Sequence, residues 1–416
     1  MKADSDQKNI DQLIFTAVFS QNEEEKKKAR SEIRKLAEDQ GIKSSSIYNF
    51  YMAIGAGKVP PNFTVPAINI RALTYDTARI IFRLMIKRQI GPVIFEIAKS
   101  EIEYTDQRPD EYTSAVLAAA IKEGYIGPVF LQGDHFQFNQ KKYAENPDEE
   151  INKIKDLIKE AILGGFKNTD IDASTLVDLT KSNLNEQQEE NYKVTSLLTS
   201  YIRSLEQGTT ISIGGEIGHI GGKNSNSQEL EAFMEGYLRT IGNIKGLSKI
   251  SVQTGTSHGG IPLPNGKIAD VKLDFDVIEK TGKTAREKYH LGGVVQHGAS
   301  TLPAELFSEF PKHKTLEIHL ATGFQNIVFD NIPAPLRDEI YAWLSENHQP
   351  EWDESLTREQ NIYKTRKRAI GQFKKKLWEL SDEEKQPIIE SLENQLAFLF
   401  EKLNVFKTRE NLLKYV

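Results

Sequence analysis

Three histidines stand at the ends of apolar, β-prone runs beside glycine: His135 in PVFLQGDHFQFN, His258 in ISVQTGTSHGG and His297 in LGGVVQHGAST. A catalytic zinc takes about three protein ligands and keeps one position open, and imidazoles without thiolates suit that role. One such histidine alone is usually a hydrogen-bonded structural residue, because imidazole serves packing as readily as chemistry. Three of the chain's eight histidines in one local pattern point instead to a shared divalent metal. Asp134 directly precedes His135, which puts a carboxylate suited to general-base work next to a ligand. Neighbouring strand residues face opposite ways, so the two share a site only if the chain bends. Gly133 permits such a bend.

The elements that must position these residues alternate from about residue 62. Short apolar runs read as strands: VPAINI (65–70), GPVIFEI (91–97), GPVFLQGD (127–134), NTDID (168–172), TISIGGE (210–216), KISVQT (249–254), GGVVQH (292–297) and TLEIHLA (315–321). Amphipathic stretches lie between them. One example is the set Val194, Leu197, Leu198, Ile202 and Leu205, whose spacing predicts one apolar helical face. Eight strands alternating with helices predict an α/β fold, a (β/α)8 TIM barrel with chemistry on the loops after each strand's C-terminal end. All three histidines fall there. An open doubly wound sheet would use similar elements, and periodicity alone does not close a barrel. The glycine-rich GGEIGHIGG at 214–222 does not match GxGxxG and has no evident acidic ribose partner, so it does not read as a nucleotide loop.

At 416 residues the chain has room for a barrel of about 250 residues plus extensions. Residues 1–61 read as an N-terminal helical extension, 62–334 as the barrel and 335–416 as a C-terminal helical extension. NEEEKKKARSEIRKLAEDQ reads as a solvated charged helix face. In the C-terminal part, basic KTRKRAIGQFKKK precedes acidic ELSDEEK, while Leu396, Phe398, Leu399, Leu403 and Phe406 need burial on the barrel or on another subunit. Net charge is −6 with both signs interspersed, which recommends neither nucleic acid nor an anionic membrane as partner. The absence of cysteine excludes disulfides, thiolate metal sites and a cysteine nucleophile. MKADSDQKNIDQL lacks an apolar signal core and no apolar run reaches spanning length, so the expected location is cytoplasmic.

In their order along the chain, GDH at 133–135, EIGHIGG at 216–222, GTSHGG at 255–260, QHGASTLP at 296–303 and HLATGFQ at 319–325 resemble the motifs of class II, zinc-dependent ketose-bisphosphate aldolases. The resemblance spans about 65–330, and the HGAS and LAT spellings are closer to the tagatose-bisphosphate branch. It implies His135, His258 and His297 as ligands of Zn2+ or another divalent metal. It also implies Asp134 as the catalytic carboxylate that moves the C4 hydroxyl proton, and Glu216 as a catalytic carboxylate that supports or alternates with the ligands. Gly259, Gly298, Ser300 and Thr322 match positions lining the phosphate site.

The departures from the family are specific. In the loop after Glu216, where fructose-bisphosphate enzymes carry an acid that serves as base on the three-carbon donor, this chain places Asn224, and an amide cannot act as a base. Glu229 or Glu231 could substitute if that loop is rearranged. The family's asparagine at the eighth strand is His319, which reads as a substrate-binding or a structural residue. Ala98 stands where a phosphate-binding serine is frequent, with Lys99 as an alternative source of positive charge. The segment around EIAKSEIEYT resembles the noncatalytic partner subunit of tagatose-bisphosphate aldolase.

The expected activity is metal-dependent, reversible cleavage of the C3–C4 bond of a ketose, with a sugar or sugar phosphate as small-molecule partner. The chemistry fits, because a Lewis acid stabilises the enediolate that cleavage leaves. A sugar epimerase using the same metal chemistry and a non-catalytic partner subunit are the alternatives, and a homo-oligomer is compatible with all three.

Overall fold

A computed structural model describes residues 2–218, 223–255, 263 and 273–416, with side chains from residue 9 onward. All eight expected strands form. They are β2 (Val65–Asn69), β3 (Ile94–Ala98), β4 (Gly127–Gln137), β5 (Asn168–Asp172), β6 (Ser212–Glu216), β7 (Lys249–Val252), β8 (Val294–Gln296) and β9 (Glu317–Leu320), after a short β1 (Ile42–Ser44). Every pairing is parallel. β2 pairs with both β3 and β9, and β4 with β5, which closes the eight into a ring and decides between the two architectures: the chain is a (β/α)8 barrel. Strands β2, β3, β5, β6, β7, β8 and β9 are buried throughout, as expected when helices cover the outer face of a parallel sheet and side chains fill the inner one.

The N-terminal segment is not purely helical. IKS adds β1 to the outside of the ring, pairing Ile42 with Gly127 of β4; three residues are too few to show periodicity. The charged helix Glu23–Asp39 buries Ala29, Ile33 and Ala37 at four-residue spacing. Its Arg30 and Arg34 reach Asp110, and Arg30 also reaches Glu111, so part of the charged face is docked rather than solvated. On the helix Leu184–Leu205, Val194, Leu198 and Ile202 are buried, whereas Leu197 is 41 % exposed and lies off the predicted face.

The apolar residues near the C-terminus are covered by the chain itself. Leu396, Leu399 and Leu403 are buried, and Phe398 and Phe406 pack partly buried against the same core. The helix Asp382–Lys402 ends where the Leu403 carbonyl accepts from Thr64 N at 2.9 Å, beside the start of β2. Among the described residues, no helix is long and apolar enough to cross a membrane.

Candidate metal and carboxylate site

The bend that brings Asp134 and His135 together is an extra residue in β4. Pairing with β5 runs Gly133 to Thr169 and resumes at Phe136 to Ile171, so β4 uses three steps where β5 uses two. Such a bulge interrupts the alternation of faces. The backbone strain is carried by His135, whose φ is +42°, and not by Gly133. Gly133 is required for a different reason, since a Cβ there would lie 2.3 Å from the Phe136 ring. Phe136 is fully buried and anchors the far side of the bulge.

His135 and His297 then face each other with ring centroids 4.1 Å apart. His135 Nδ1 lies 3.0 Å from Asp172 Oδ2 and 3.3 Å from Glu216 Oε2, whereas Nε2 lies 3.9 Å from Asp134 Oδ1. His297 Nε2 meets Ser251 Oγ at 2.9 Å, and its Nδ1 lies 4.0 Å from the same Asp134 oxygen. Each ring is held through one nitrogen and turns the other toward a common point, the arrangement in which outer hydrogen bonds orient metal-binding imidazoles. His135, Glu216 and His297 each offer a ligand atom within 4.8 Å of the others, so the donor set fits a divalent cation bound by nitrogen and oxygen. His258 and Gly259 lie outside the described residues. Burial and neighbouring Asp172 push the Glu216 carboxyl up to about 7 against the pull of His135. For His135, burial favours the neutral ring but the surrounding carboxylates, Asp134 and Glu216 foremost, outweigh it and raise its pKa well above the usual histidine value.

Asp134 is held through both oxygens. Asn69 Nδ2 donates to Oδ2 at 2.8 Å, and His319 Nδ1 lies 3.0 Å from Oδ1. Burial opposes its charge, yet His135, His319 and His297 hold the carboxyl well below the usual range. His319 is 4 % exposed; its Nε2 lies 2.6 Å from Glu317 Oε1 and 3.7 Å from Asp170 Oδ2, and its Nδ1 also lies 3.2 Å from Glu96 Oε1. Burial favours the neutral ring, but Glu96, Asp134 and Glu317 outweigh it and raise the His319 pKa well above the usual histidine value. Beneath it, Lys249 is fully buried, donating to Gln132 Oε1 at 2.8 Å and Asp170 at 3.0 Å and pairing with Glu317. Tyr51 also donates to Glu317. Sequence reasoning missed this axial network, although charged residues at alternate positions of apolar strands, Glu317 with His319 and Asp170 with Asp172, signal side chains inside a barrel.

Above the network opens a cavity of about 640 Å³, lined by Asp134, His135, His297, Gly298, Ser300, His319 and Thr322 among others. Gly298 has a φ of +67°, a conformation that few other residues take. Ser300 Oγ accepts from Gly323 N at 3.2 Å. Arg71, also in the lining, donates to Thr322 Oγ1 at 3.1 Å and Gln325 Oε1 at 3.0 Å and pairs with Glu101 at 2.6 Å; it was not anticipated. Lys99 lines the wall too, but it is tied to the Gln137 carbonyl and Glu150.

The two proposed substitute acids are engaged elsewhere. Glu229 closes the N-terminal capping box of the helix Ser227–Ile241 and pairs with Lys223, and Glu231 pairs with Lys288. Asn224 Nδ2 reaches Asp274 Oδ2 at 3.5 Å.

The sequence profile described as fructose-bisphosphate aldolase class-II matches residues 60–383. Comparison with curated proteins finds no match. Solved structures share the fold. A fructose-bisphosphate aldolase from Campylobacter jejuni is similar with a TM-score of 0.51 at 17 % identity, over 88 % of this chain and 96 % of that one. A fructuronate-tagaturonate epimerase from Cohnella laeviribosi is similar at 0.61 and 10 %, over 82 % of each. A probable tagatose 6 phosphate kinase from Sinorhizobium meliloti is similar at 0.55 and 15 %, over 84 % and 93 %.

Proposed function

Because the chain belongs to the class-II fructose-bisphosphate aldolase family, we propose that it is a divalent-metal-dependent lyase. It would reversibly cleave the C3–C4 bond of a ketose, with a ketose phosphate or bisphosphate as the substrate class. The observation that carries the reading is the convergence of His135 Nε2 and His297 Nδ1 on Asp134 Oδ1, at 3.9 and 4.0 Å. It sets a carboxylate base beside two candidate metal-binding imidazoles.

His135 and His297, with Glu216 as the oxygen donor and His258 as the third histidine, would hold the ion. A divalent cation, zinc first, supplies Lewis-acid polarisation of the ketose carbonyl and its neighbouring hydroxyl. Asp134 takes the C4 hydroxyl proton as the C3–C4 bond breaks; C4 becomes an aldehyde carbon, and the bonding pair stays with the donor fragment. The two hydrogen bonds on Asp134 keep it ionised and aimed. Ser300, Thr322 and Gly298 line the wall that would receive a phosphate, and His319 serves Asp134 rather than reaching for substrate with an uncommitted nitrogen.

One observation favours a second reading, a sugar epimerase on the same scaffold. The donor fragment must gain a proton on carbon before it leaves as a ketone, and the residue in the family's position for that step is Asn224, with Glu229 and Glu231 occupied elsewhere. The test is hydrogen exchange in deuterated water with dihydroxyacetone phosphate presented alone to the metal-loaded protein. A lyase that protonates its donor incorporates deuterium; no exchange in a metal-replete protein counts for the epimerase.

A further inference from the structure

The N-terminal extension sends one side chain into the barrel axis. The helix Tyr48–Gly55 is tied at the N-terminal ends of two strands. At one end the Ile47 amide donates to Asn168 Oδ1 at 2.9 Å, at the start of β5. The other end is seated on the segment that leads into β8. There a Cβ on Gly55 would lie 2.3 and 2.6 Å from the His290 and Leu291 carbonyl oxygens, and one on Gly292 would lie 3.0 Å from Tyr51 Cβ. Phe50 and Phe63 stack with ring centroids 5.9 Å apart. The helix so seated leaves Tyr51 fully buried, with its hydroxyl donating to Glu317 Oε2.

Glu317 is divided between two tasks. Its Oε2 takes the Tyr51 hydrogen, while Oε1 meets His319 Nε2 at 2.6 Å, Gln132 Nε2 at 3.2 Å and the Lys249 ammonium. The last torsion of a glutamate is soft and roughly two-fold. Donors crowded on one oxygen therefore leave the carboxyl plane loosely set, and a donor on the other oxygen fixes it. Burial first, then Glu317, raises the Tyr51 pKa well above the usual tyrosine value, which keeps the hydrogen on the hydroxyl. From Glu317 the line of contacts continues through His319 Nδ1 to Asp134 Oδ1 at 3.0 Å. All four side chains are buried, so bulk water does not substitute for a lost member.

We propose that Tyr51 is a positioning residue for Asp134, acting through Glu317 and His319. It fixes the plane of the Glu317 carboxyl, which holds the His319 ring and with it the base. The N-terminal extension thereby contributes to the reaction without touching substrate. The inference rests on the reading of Asp134 as the base of the proposed reaction.

The test is a double-mutant cycle on the zinc-loaded full chain, with fructose 1,6-bisphosphate and tagatose 1,6-bisphosphate as substrates. Tyr51→Phe should lower kcat by about fivefold, the scale of one hydrogen bond, with KM and metal content unchanged. In His319→Gln, where the link is already cut, the same substitution should change kcat by less than about twofold. Gly292→Ala crowds Tyr51 and alters no interior polar group. It should lower kcat with the same dependence on His319, and it decides the question if Tyr51→Phe does not fold. A readout that needs no turnover is the imidazole N–H resonance of His319, identified by its loss in His319→Gln. It should shift in Tyr51→Phe, although Tyr51 bonds Glu317 and not the ring.

Wild-type kcat in Tyr51→Phe, an equal loss with and without His319, or an unmoved resonance would each overturn the positioning role. The two readings fail separately. A shifted resonance in a chain that releases no fragment sinks only the lyase, and fragment release unaffected by Tyr51→Phe sinks only the role of Tyr51.

Discussion

His319 Nδ1 lies 3.0 Å from Asp134 Oδ1, inside a barrel that leaves neither side chain more than 6 % exposed. The opposite nitrogen meets Glu317 at 2.6 Å, so the ring cannot rotate without breaking a second contact. Asp134 is thereby a fixed carboxylate. Asp134→Asn should keep the fold and most of the metal while the rate falls by about two powers of ten or more, the scale of general acid–base help. His319→Gln should lower kcat more than it raises KM, because it disturbs the aim of the base and not a substrate contact. Steady-state kinetics on protein of verified metal content check both.

The metal assignment predicts about one divalent ion per chain after gentle purification. His297→Ala should lower that occupancy, and Ser251→Ala, which removes the partner of His297 Nε2, should weaken affinity by about tenfold or more. Elemental analysis and competition with a chelator measure the two effects.

Lys249→Met should destabilise the barrel by about 3–5 kcal/mol, because it strands Glu317 and Asp170 without their cation in the interior. The same network predicts an acid dependence. Burial disfavours the Glu317 charge, but Lys249 and His319 outweigh it and hold the carboxyl at about 2, below its ordinary 4.5. A depressed carboxylate contributes stability above its unfolded value and loses it as pH falls. The stability advantage of wild type over Glu317→Gln should therefore be full above about pH 4.5 and shrink toward pH 2, as followed by denaturant midpoints.

Gly133→Ala should be costly despite ordinary backbone angles. The added methyl meets the Phe136 ring at 2.3 Å, and overpacking of this kind costs about 1–3 kcal/mol. Displacing Phe136 relaxes the bulge, so metal content should fall together with thermal stability.

The ring of eight strands was legible because each strand is a short apolar run bounded by turn residues, and the order of His135, Glu216 and His297 along those runs placed them at one end of the barrel. The bend at Asp134 was anticipated but assigned to Gly133. Nothing in GDHF distinguishes a glycine that turns from one that makes room for Phe136, since that distinction depends on a ring three residues on. Lys249 and Glu317 were passed over because each looks like a surface charge until ring closure puts both inside.

Cleavage itself is tested most directly by product identity. Metal-loaded protein is incubated with ketose monophosphates, ketose bisphosphates and ketoses bearing a carboxylate, and the products are resolved by mass and chirality. The expected result is a pair of shorter fragments, trioses from a six-carbon ketose, lost in Asp134→Asn and on chelation. An isomer with all its carbons and no fragment at any time, from protein carrying its metal, would contradict the lyase and assign the site to epimerisation.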